Sequence, residues 1–572
     1  MRRIVLAVLV ALAGAAAADA LAQSTPRFEA DLQAVPPVAA VHAAHGMVVA
    51  QEARAARIGV DILRQGGNAV DAAVATGFAL AVTYPRAGNL GGGGFMVIHR
   101  ADGENIAIDY RETAPAAAGP TMFLDADGNI DSRKSRSTGL AVGVPGTVAG
   151  LALAHQRYGS GRFTLAQLIA PALALARDGI AVDGDLADSL PRARERLARW
   201  PSSAAIFLNA DGSALRPGQR LVQSDLAATL ETVARDGPRA FYDGPIAERI
   251  AAAVREAGGT MTAADLRGYE ARLRAPVSGT YRGYTVLSMP PPSSGGVHLI
   301  EILNILEGFA LHDDARTRHL MIEAMKRAYA DRAAYLGDPD QVTVPVAGLI
   351  SKRYAASLRA EIDPEKATPA SSGNPVPHEG DNTTHFSVVD RDGNAVSNTY
   401  TLNFSYGVGL VAAGTGVLLN NEMDDFTARP GATNAFGLVG FEPNLPAPGK
   451  RPLSSMTPTI LLKDDRVALV TGSPGGSRII TAVLQQIVNI VDFGMDVAAS
   501  IEAPRLHHQW QPDEVVVEPM LPAATRQALE RRGHRVVVRR PATEINAIVA
   551  DGAGGWVGAA DTRTRDALAA GY

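Results

Sequence analysis

Apolar positions recur along this chain with two periods, and each switch between them marks an element. From Glu52 to Val82 the spacing is helical and breaks at Gly66-Gly67-Asn68, which predicts a helical hairpin. Ala72, Ala73, Val74, Phe78 and Ala79 are spaced to cover a buried face of its second arm. Gly91 to Gly94 leads straight into the strand-like run Phe95-Met-Val-Ile98. A helix is predicted from Leu165 to Asp178, and Asp185 to Ala257 is mostly helical and rich in Arg and Ala. Pro290-Pro-Pro-Ser-Ser-Gly-Gly296 is a sharp loop before a helix over Val297 to Leu306.

Ala367 to Asn382 changes character. Its Pro, Ser, Gly and Asn content reads as an exposed, flexible connection. Immediately afterwards alternation sets in: Thr384 to Val389 and Ala395 to Asn403 flank Arg391-Asp-Gly-Asn394, a hairpin signal. A second hairpin joins Thr459–Leu462 to Val467–Thr471 through Asp464-Asp465. Gly472-Ser-Pro-Gly-Gly476 then turns into a periodic helix from Ser477 to about Asp492. Antiparallel hairpins surrounded by helices predict a layered α/β architecture, with sheets covered by helices.

The N-terminus has a different logic. Arg2 and Arg3 precede an apolar run from Ile4 to Ala18, and Ala20-Leu21-Ala22 offers a small-x-small cleavage pattern. The run is shorter than the roughly 18–20 residues a bilayer span needs. Residues 1–22 therefore read as a cleaved signal peptide, with Gln23 the mature N-terminus and a periplasmic or secreted destination. No later apolar stretch is long enough to span a membrane. At 572 residues the chain exceeds what one core usually supports, so two large halves or one very large layered domain are expected.

With 54 Lys and Arg against 59 Asp and Glu, the net charge is −5 and no basic tract stands out, which argues against a nucleic-acid partner. There is no cysteine, so thiol nucleophiles and thiolate metal sites are excluded. The common motifs are missing too: no G-x-S-x-G, S-x-x-K, H-E-x-x-H, P-loop or EF-hand loop occurs. His42-x-x-His45 is short of metal ligands, and Gly91 to Gly94 precedes a strand instead of a helix, unlike a dinucleotide-binding loop.

The informative junction is Asn382-Thr383, where a flexible loop stops at a threonine opening a strand. Inside a chain threonine is a poor nucleophile. Cut before it, the same residue carries a hydroxyl and an α-amine with an unperturbed pKa near 8, which can serve as its general base. A threonine with no chemical role fits this local pattern as well.

Four segments after the junction resemble signatures of γ-glutamyltransferases, in order and spacing: Thr383-Thr-His-Phe-Ser-Val-Val-Asp390, Asn420-Asn-Glu-Met-Asp-Asp-Phe426, Arg451-Pro-Leu-Ser-Ser-Met456 and Thr471-Gly-Ser-Pro-Gly-Gly-Ser477. Ala87 to Phe95, Tyr110-Arg-Glu-Thr113 and Pro290 to Gly296 add matches upstream, so the similarity runs from about Val41 to Tyr572. The resemblance implies an αββα sandwich of the N-terminal nucleophile hydrolase type and self-cleavage between Asn382 and Thr383. A large subunit of residues 23–382 and a small catalytic subunit of 383–572 would result, associated as a heterodimer.

It also implies roles. Thr383 would be the nucleophile and Thr401 its hydrogen-bonding partner. Gly475 and Gly476 would give oxyanion-hole amides, which agrees with two glycines before a helix N-terminus. Arg111, Ser454 and Ser455 would bind the α-carboxylate of a γ-glutamyl group, and Asp425 with Glu422 and Asn403 its α-ammonium. The partners would be a small γ-glutamyl donor and an amino-acid or peptide acceptor, and no metal or organic cofactor is required. Thr427 to Gly449 resembles a lid, with Phe436 where a tyrosine is usual. Two other readings remain: a cephalosporin or glutaryl acylase of the same fold, and an exported binding protein without chemistry.

Overall fold

The computed structural model describes residues 36–368, 383–540 and 543–572. The signal-like segment 1–22, Gln23 and residues 369–382 of the connection lie outside the described residues. Before that connection the chain supplies strands β1 (Val41–Ala43), β2 (Met47–Ala50), β3 (Gly93–His99), β4 (Asn105–Tyr110), β5 (Arg272–Arg274), β6 (Val277–Tyr281) and β7 (Tyr284–Ser288). After it come β8 (Thr384–Val389), β9 (Ala395–Thr401), β10 (Thr459–Lys463), β11 (Arg466–Thr471), β12 (Asn546–Ala550), β13 (Trp556–Ala560) and β14 (Leu568–Gly571). Helices that matter below are α1 (Ala53–Arg64), α2 (Ala69–Thr83), α3 (Leu165–Asp178), α4 (Gly295–Leu306), α5 (Ala315–Tyr335) and α6 (Ile479–Val491).

The strands form two seven-stranded sheets, ordered β1-β13-β12-β11-β10-β7-β6 and β14-β2-β8-β9-β3-β4-β5. Every pairing within them is antiparallel. Both sheets take strands from before and after the connection. Of the two expectations for so long a chain, one large layered domain is therefore the one observed.

Side-chain alternation along the strands builds the layers. On β2, Val48 and Ala50 enter one helix-covered core, while Met47 and Val49 enter the core between the sheets. On β10, Ile460 and Leu462 point between the sheets, and Leu461 joins a second helix-covered core. Helix, sheet, sheet, helix is thus the order of layers, an αββα sandwich. α1 and α2 cover the second sheet, and α4, α5 and α6 lie in the core of the first.

The second arm of the predicted hairpin departs from expectation. Every residue of α2 is buried, so it has no single buried face. It packs on α1, α3, β8 and β9, and a helix enclosed on all sides must be apolar all round. Its N-terminus is closed by a capping box between Asn68 and Asp71. Asp390, from beyond the connection, adds a further acceptor for Ala69 N–H (2.9 Å).

Between the sheets lies His385, whose Nδ1 and Nε2 meet Thr399 Oγ1 (2.8 Å) and Ser387 Oγ (3.0 Å). Burial pushes its pKa from 6.5 down to about 3. The ring stays neutral in the fold while the unfolded chain takes up a proton. Its contribution to stability is therefore complete above about pH 6.5 and is lost as pH falls from there toward 3. Urea midpoints between pH 7 and 4.5 should fall more steeply for the parent than for His385→Gln; equal slopes would refute this.

Candidate active site

Thr384 pairs with Tyr400 in the β8–β9 ladder, so Thr383 and Thr401 stand together at its open end. Both are nearly buried. One pocket at this end is lined by Thr383, Thr401, Asn403, Arg111, Glu422, Asp425, Phe436, Ser454, Ser455 and Gly476. The sequence-predicted positions thus converge, with two qualifications. Gly475 is adjacent to the lining, and Asn382 lies outside the described residues.

β9 ends at Thr401 because the chain turns sharply. Asn403 has a left-handed backbone (φ 71°), its N–H donates to Thr401 Oγ1 (2.9 Å), and its Nδ2 donates to Asn421 O (2.9 Å). The predicted strand to Asn403 is shortened for this reason.

Gly475 and Gly476 form the turn from β11 into a short 3-10 segment, Gly476–Arg478, that continues as α6. Their φ values of 127° and 55° suit glycine. A Cβ on Gly476 would also sit 2.5 Å from Phe436 Cδ1. The turn's own bond runs from Arg478 N–H to Gly475 O (3.0 Å), so the glycine amides precede the helical ladder and lie at its electropositive end.

Arg111 is wholly buried at the end of β4. Its Nη1 donates to Glu422 Oε1, its Nη2 to Asp425 Oδ2 (2.5 Å) and its Nε to Pro452 O (3.1 Å). Burial opposes its charge, but Glu422, Asp425 and Glu112 outweigh burial and hold its pKa up. The carboxyls are held up as well: burial raises Glu422 well above the usual range, and Asp425 more modestly, with Arg111 offsetting part of each shift. Glu112, 3.8 Å from Arg111 Nη1, is pushed by burial to about 8. The cation and the two acids that line the pocket are thus each other's partners.

Ser454 and Ser455 sit on a loop tied at several points. Ser454 N–H donates to Pro292 O (2.9 Å), Ser454 O accepts from Ser294 Oγ–H (2.7 Å), and Arg451 N–H donates to Asp338 Oδ2 (2.8 Å). One contact escaped the sequence reading. Arg332 of α5 donates from Nη2 to Ser455 Oγ (3.2 Å) and from Nε to Ser294 Oγ (3.0 Å). A usable signal existed, because Arg332 follows Met325, Ala328 and Tyr329 by seven, four and three residues and so shares their buried stripe.

Thr427 to Gly449 is an ordered loop here. Thr433 bridges to Val439, and Gly431 N–H donates to Gly440 O (2.8 Å). Asn434 organises its tip: its Oδ1 accepts from the N–H of Phe436 (3.0 Å) and Leu438 (3.1 Å), while its Nδ2 donates to Asp425 Oδ1 (3.1 Å). Phe436 lies over Gly476, edge-on to Phe404 at 6.1 Å, and its carbonyl accepts from Gln509 Nε2 (3.0 Å).

No histidine is among the residues lining the pocket. His385, the nearest in sequence to Thr383, is held between the sheets. Among the described residues one trio has metal-ligand types in reach, His319, Glu323 and His534. Glu323 already meets Lys326 (3.0 Å) and Arg327 (3.1 Å) and accepts from Thr368 Oγ1–H, so its charge is answered.

Residues 55–571 match the family described as Gamma-glutamyltranspeptidase. The glutathione hydrolase proenzyme of Escherichia coli (strain K12) is 52% identical over 540 residues, covering 93% of each chain. Among solved structures, the cephalosporin acylase of Bacillus halodurans superposes with a TM-score of 0.82 at 31% identity, covering 93% of this chain and 97% of that one. The γ-glutamyltranspeptidase of Helicobacter pylori gives 0.55 at 47% identity, over 56% of this chain and 92% of that one.

Proposed function

Since the chain belongs to the γ-glutamyltranspeptidase family, we propose that it is a self-processing enzyme that cleaves γ-glutamyl amides such as glutathione. It passes the glutamyl group to water or to an amino-acid or peptide acceptor. Thr383 Oγ attacks the Asn382 carbonyl, an ester forms as the C–N bond breaks, and water opens the ester. The freed α-amine then serves as base to the same hydroxyl, a role that no pocket histidine competes for. In turnover Thr383 Oγ attacks the γ-carbonyl of the donor, the amine leaves, and water or an acceptor amine releases the γ-glutamyl group. Thr401 orients the nucleophile, and the Gly475 and Gly476 amides stabilise the developing oxyanion.

The observation that carries this reading is the mixed-charge clamp beside Thr383. A γ-glutamyl group ends in a zwitterion, and the pocket offers one arginine, two acids, Asn403 and two serine hydroxyls to receive it. Binding exchanges partners. The substrate ammonium takes Asp425 and Glu422, and its carboxylate takes over part of Arg111 with Ser454 and Ser455. Charges that the fold already holds out of water meet new partners without a further large desolvation cost.

The acylase match favours one rival, an enzyme acting on acyl chains without the α-ammonium. Turnover of γ-glutamyl-p-nitroanilide over its glutaryl analogue supports our reading, and the reverse preference overturns it. N-terminal sequencing of the small fragment must start at Thr383. The chains would be residues 23–382 and 383–572, exported by the N-terminal segment. No helix among the described residues is long and apolar enough to cross a membrane.

Phe436 shapes the fate of the acyl-enzyme. A phenyl ring covers the Gly476 turn but cannot donate a hydrogen bond, so the lid closes less tightly than a tyrosine would close it. Phe436→Tyr is expected to lower glutamate release relative to dipeptide formation by roughly two- to tenfold, the value of one ordinary hydrogen bond. An unchanged product ratio refutes the idea.

A further inference from the structure

Arg332 is a buried cation that the proposed reaction does not yet use. It is 4% exposed, at the C-terminal end of α5, and packed behind the serine loop. Among the described residues no carboxylate stands within salt-bridge distance of it. Its chain neighbour Asp331 accepts from Tyr354 Oη–H instead (2.7 Å). Among the described residues the guanidinium donates to two serine hydroxyls, Ser294 Oγ at 3.0 Å and Ser455 Oγ at 3.2 Å. An unpaired charge in such a place is costly unless an anion arrives to answer it. Burial shows the cost by pulling its pKa from 12.5 to about 10, which still leaves it charged at neutral pH.

The contrast with Arg111 points to the anion. Arg111 is committed to Glu422 and Asp425. Arg332 is within electrostatic reach of Asp425 and Arg111 but bonded to neither. Its contact with Ser455 also has a direction. Because Ser455 Oγ accepts the arginine N–H, the serine keeps its own hydrogen to donate into the pocket. Ser454 is arranged alike, its Oγ accepting Met456 N–H (3.1 Å). Two hydroxyls are thereby set as donors, one of them backed by a buried positive charge.

We propose that Arg332 is a positioning residue for the γ-glutamyl donor, fixing Ser455 as a donor and supplying the charge that selects a free α-carboxylate. The inference rests on the γ-glutamyl reading above and deepens it. Donors whose α-carboxyl is amidated or absent lose this recognition, whatever their leaving amine.

The test uses two donors, γ-glutamyl-p-nitroanilide and its α-carboxamide counterpart, on the processed parent, Arg332→Gln and Arg332→Lys. In Arg332→Gln the KM for the carboxylate donor is expected to rise about 10- to 100-fold, the range for a hydrogen bond to a charged group. The KM for the α-carboxamide should hold and kcat should change little, so the parent's preference collapses. Arg332→Lys, retaining the charge, should recover part of that preference. An equal rise for both donors means a structural role and overturns the proposal, as does no rise for either. Should Arg332→Gln remain uncut on a denaturing gel, Arg332→Lys carries the comparison, and preference identical to the parent's overturns the proposal. A parent that turns over neither donor overturns the γ-glutamyl reading itself, and the inference with it.

Discussion

Thr383→Ala is expected to leave the protein as one polypeptide and to lower donor hydrolysis on the order of 10^4-fold or more, the scale of losing a nucleophile. Both losses have one cause. The hydroxyl that would attack the Asn382 carbonyl is the hydroxyl that would attack the donor, and without cleavage the α-amine is never freed. The substitution removes only a small side chain at the edge of β8, so the layers around it keep their packing. Thr383→Ser keeps the hydroxyl and should retain part of both activities. A denaturing gel and p-nitroaniline release measure the pair of effects. Cleavage without the hydroxyl, or turnover by an uncut chain, would break the link between them.

Arg111→Leu should be the most damaging change in the clamp. Arg111 reaches both Glu422 and Asp425 from a fully buried position and also holds Pro452 O at the start of the serine loop. Removing one partner of a buried pair costs about 3–5 kcal/mol, because the other charges stay behind. Glu422 and Asp425, already held up by burial, would bind protons more readily still, so the deficit should widen as pH rises. Urea unfolding of Arg111→Leu in the uncut Thr383→Ala background measures the stability term. Arg111→Lys keeps a charge but cannot bridge both acids, so it should recover only part of the loss. A midpoint within error of the background would mean that the cluster contributes nothing.

The elements that periodicity found are those whose burial is one-sided or whose ends carry a turn. The hairpin around Arg391-Asp-Gly-Asn394 and the helix over Leu165–Asp178 fall where the pattern put them. α2 was found, but its enclosure was not, since all-round burial erases the periodic contrast that marks a face. The pocket was legible because most of its residues occur in or beside compact motifs after the junction, with Arg111 in one before it, and the family resemblance supplied their roles. Arg332 was not, because its serines are reached only through tertiary packing from a helix remote in sequence. Its place on the buried stripe of α5 could have marked it as enclosed, but which groups it meets stays hidden until the opposite layer is known. The order of the loop around Phe436 was hidden for the same reason: beyond the local Asn434 turn, it is held by Asp425 and Gln509, contacts that no local pattern encodes.

The interleaving of strands from both sides of the connection limits how this protein can be made. β8 is flanked by β2 and β9, and β10 by β7 and β11, so in each sheet strands of the two segments pair directly and neither segment has a sheet of its own. As one chain, the two segments find each other at the high effective concentration set by their link. Once the link is cut, refolding becomes a bimolecular search by fragments with exposed strand edges, and dilution works against it. Maturation before Thr383 would thus turn a refoldable chain into an assembly that lasts by the slowness of its unfolding. Such an enzyme can be switched on by its own chemistry only after folding is finished, and once denatured it is not readily recovered.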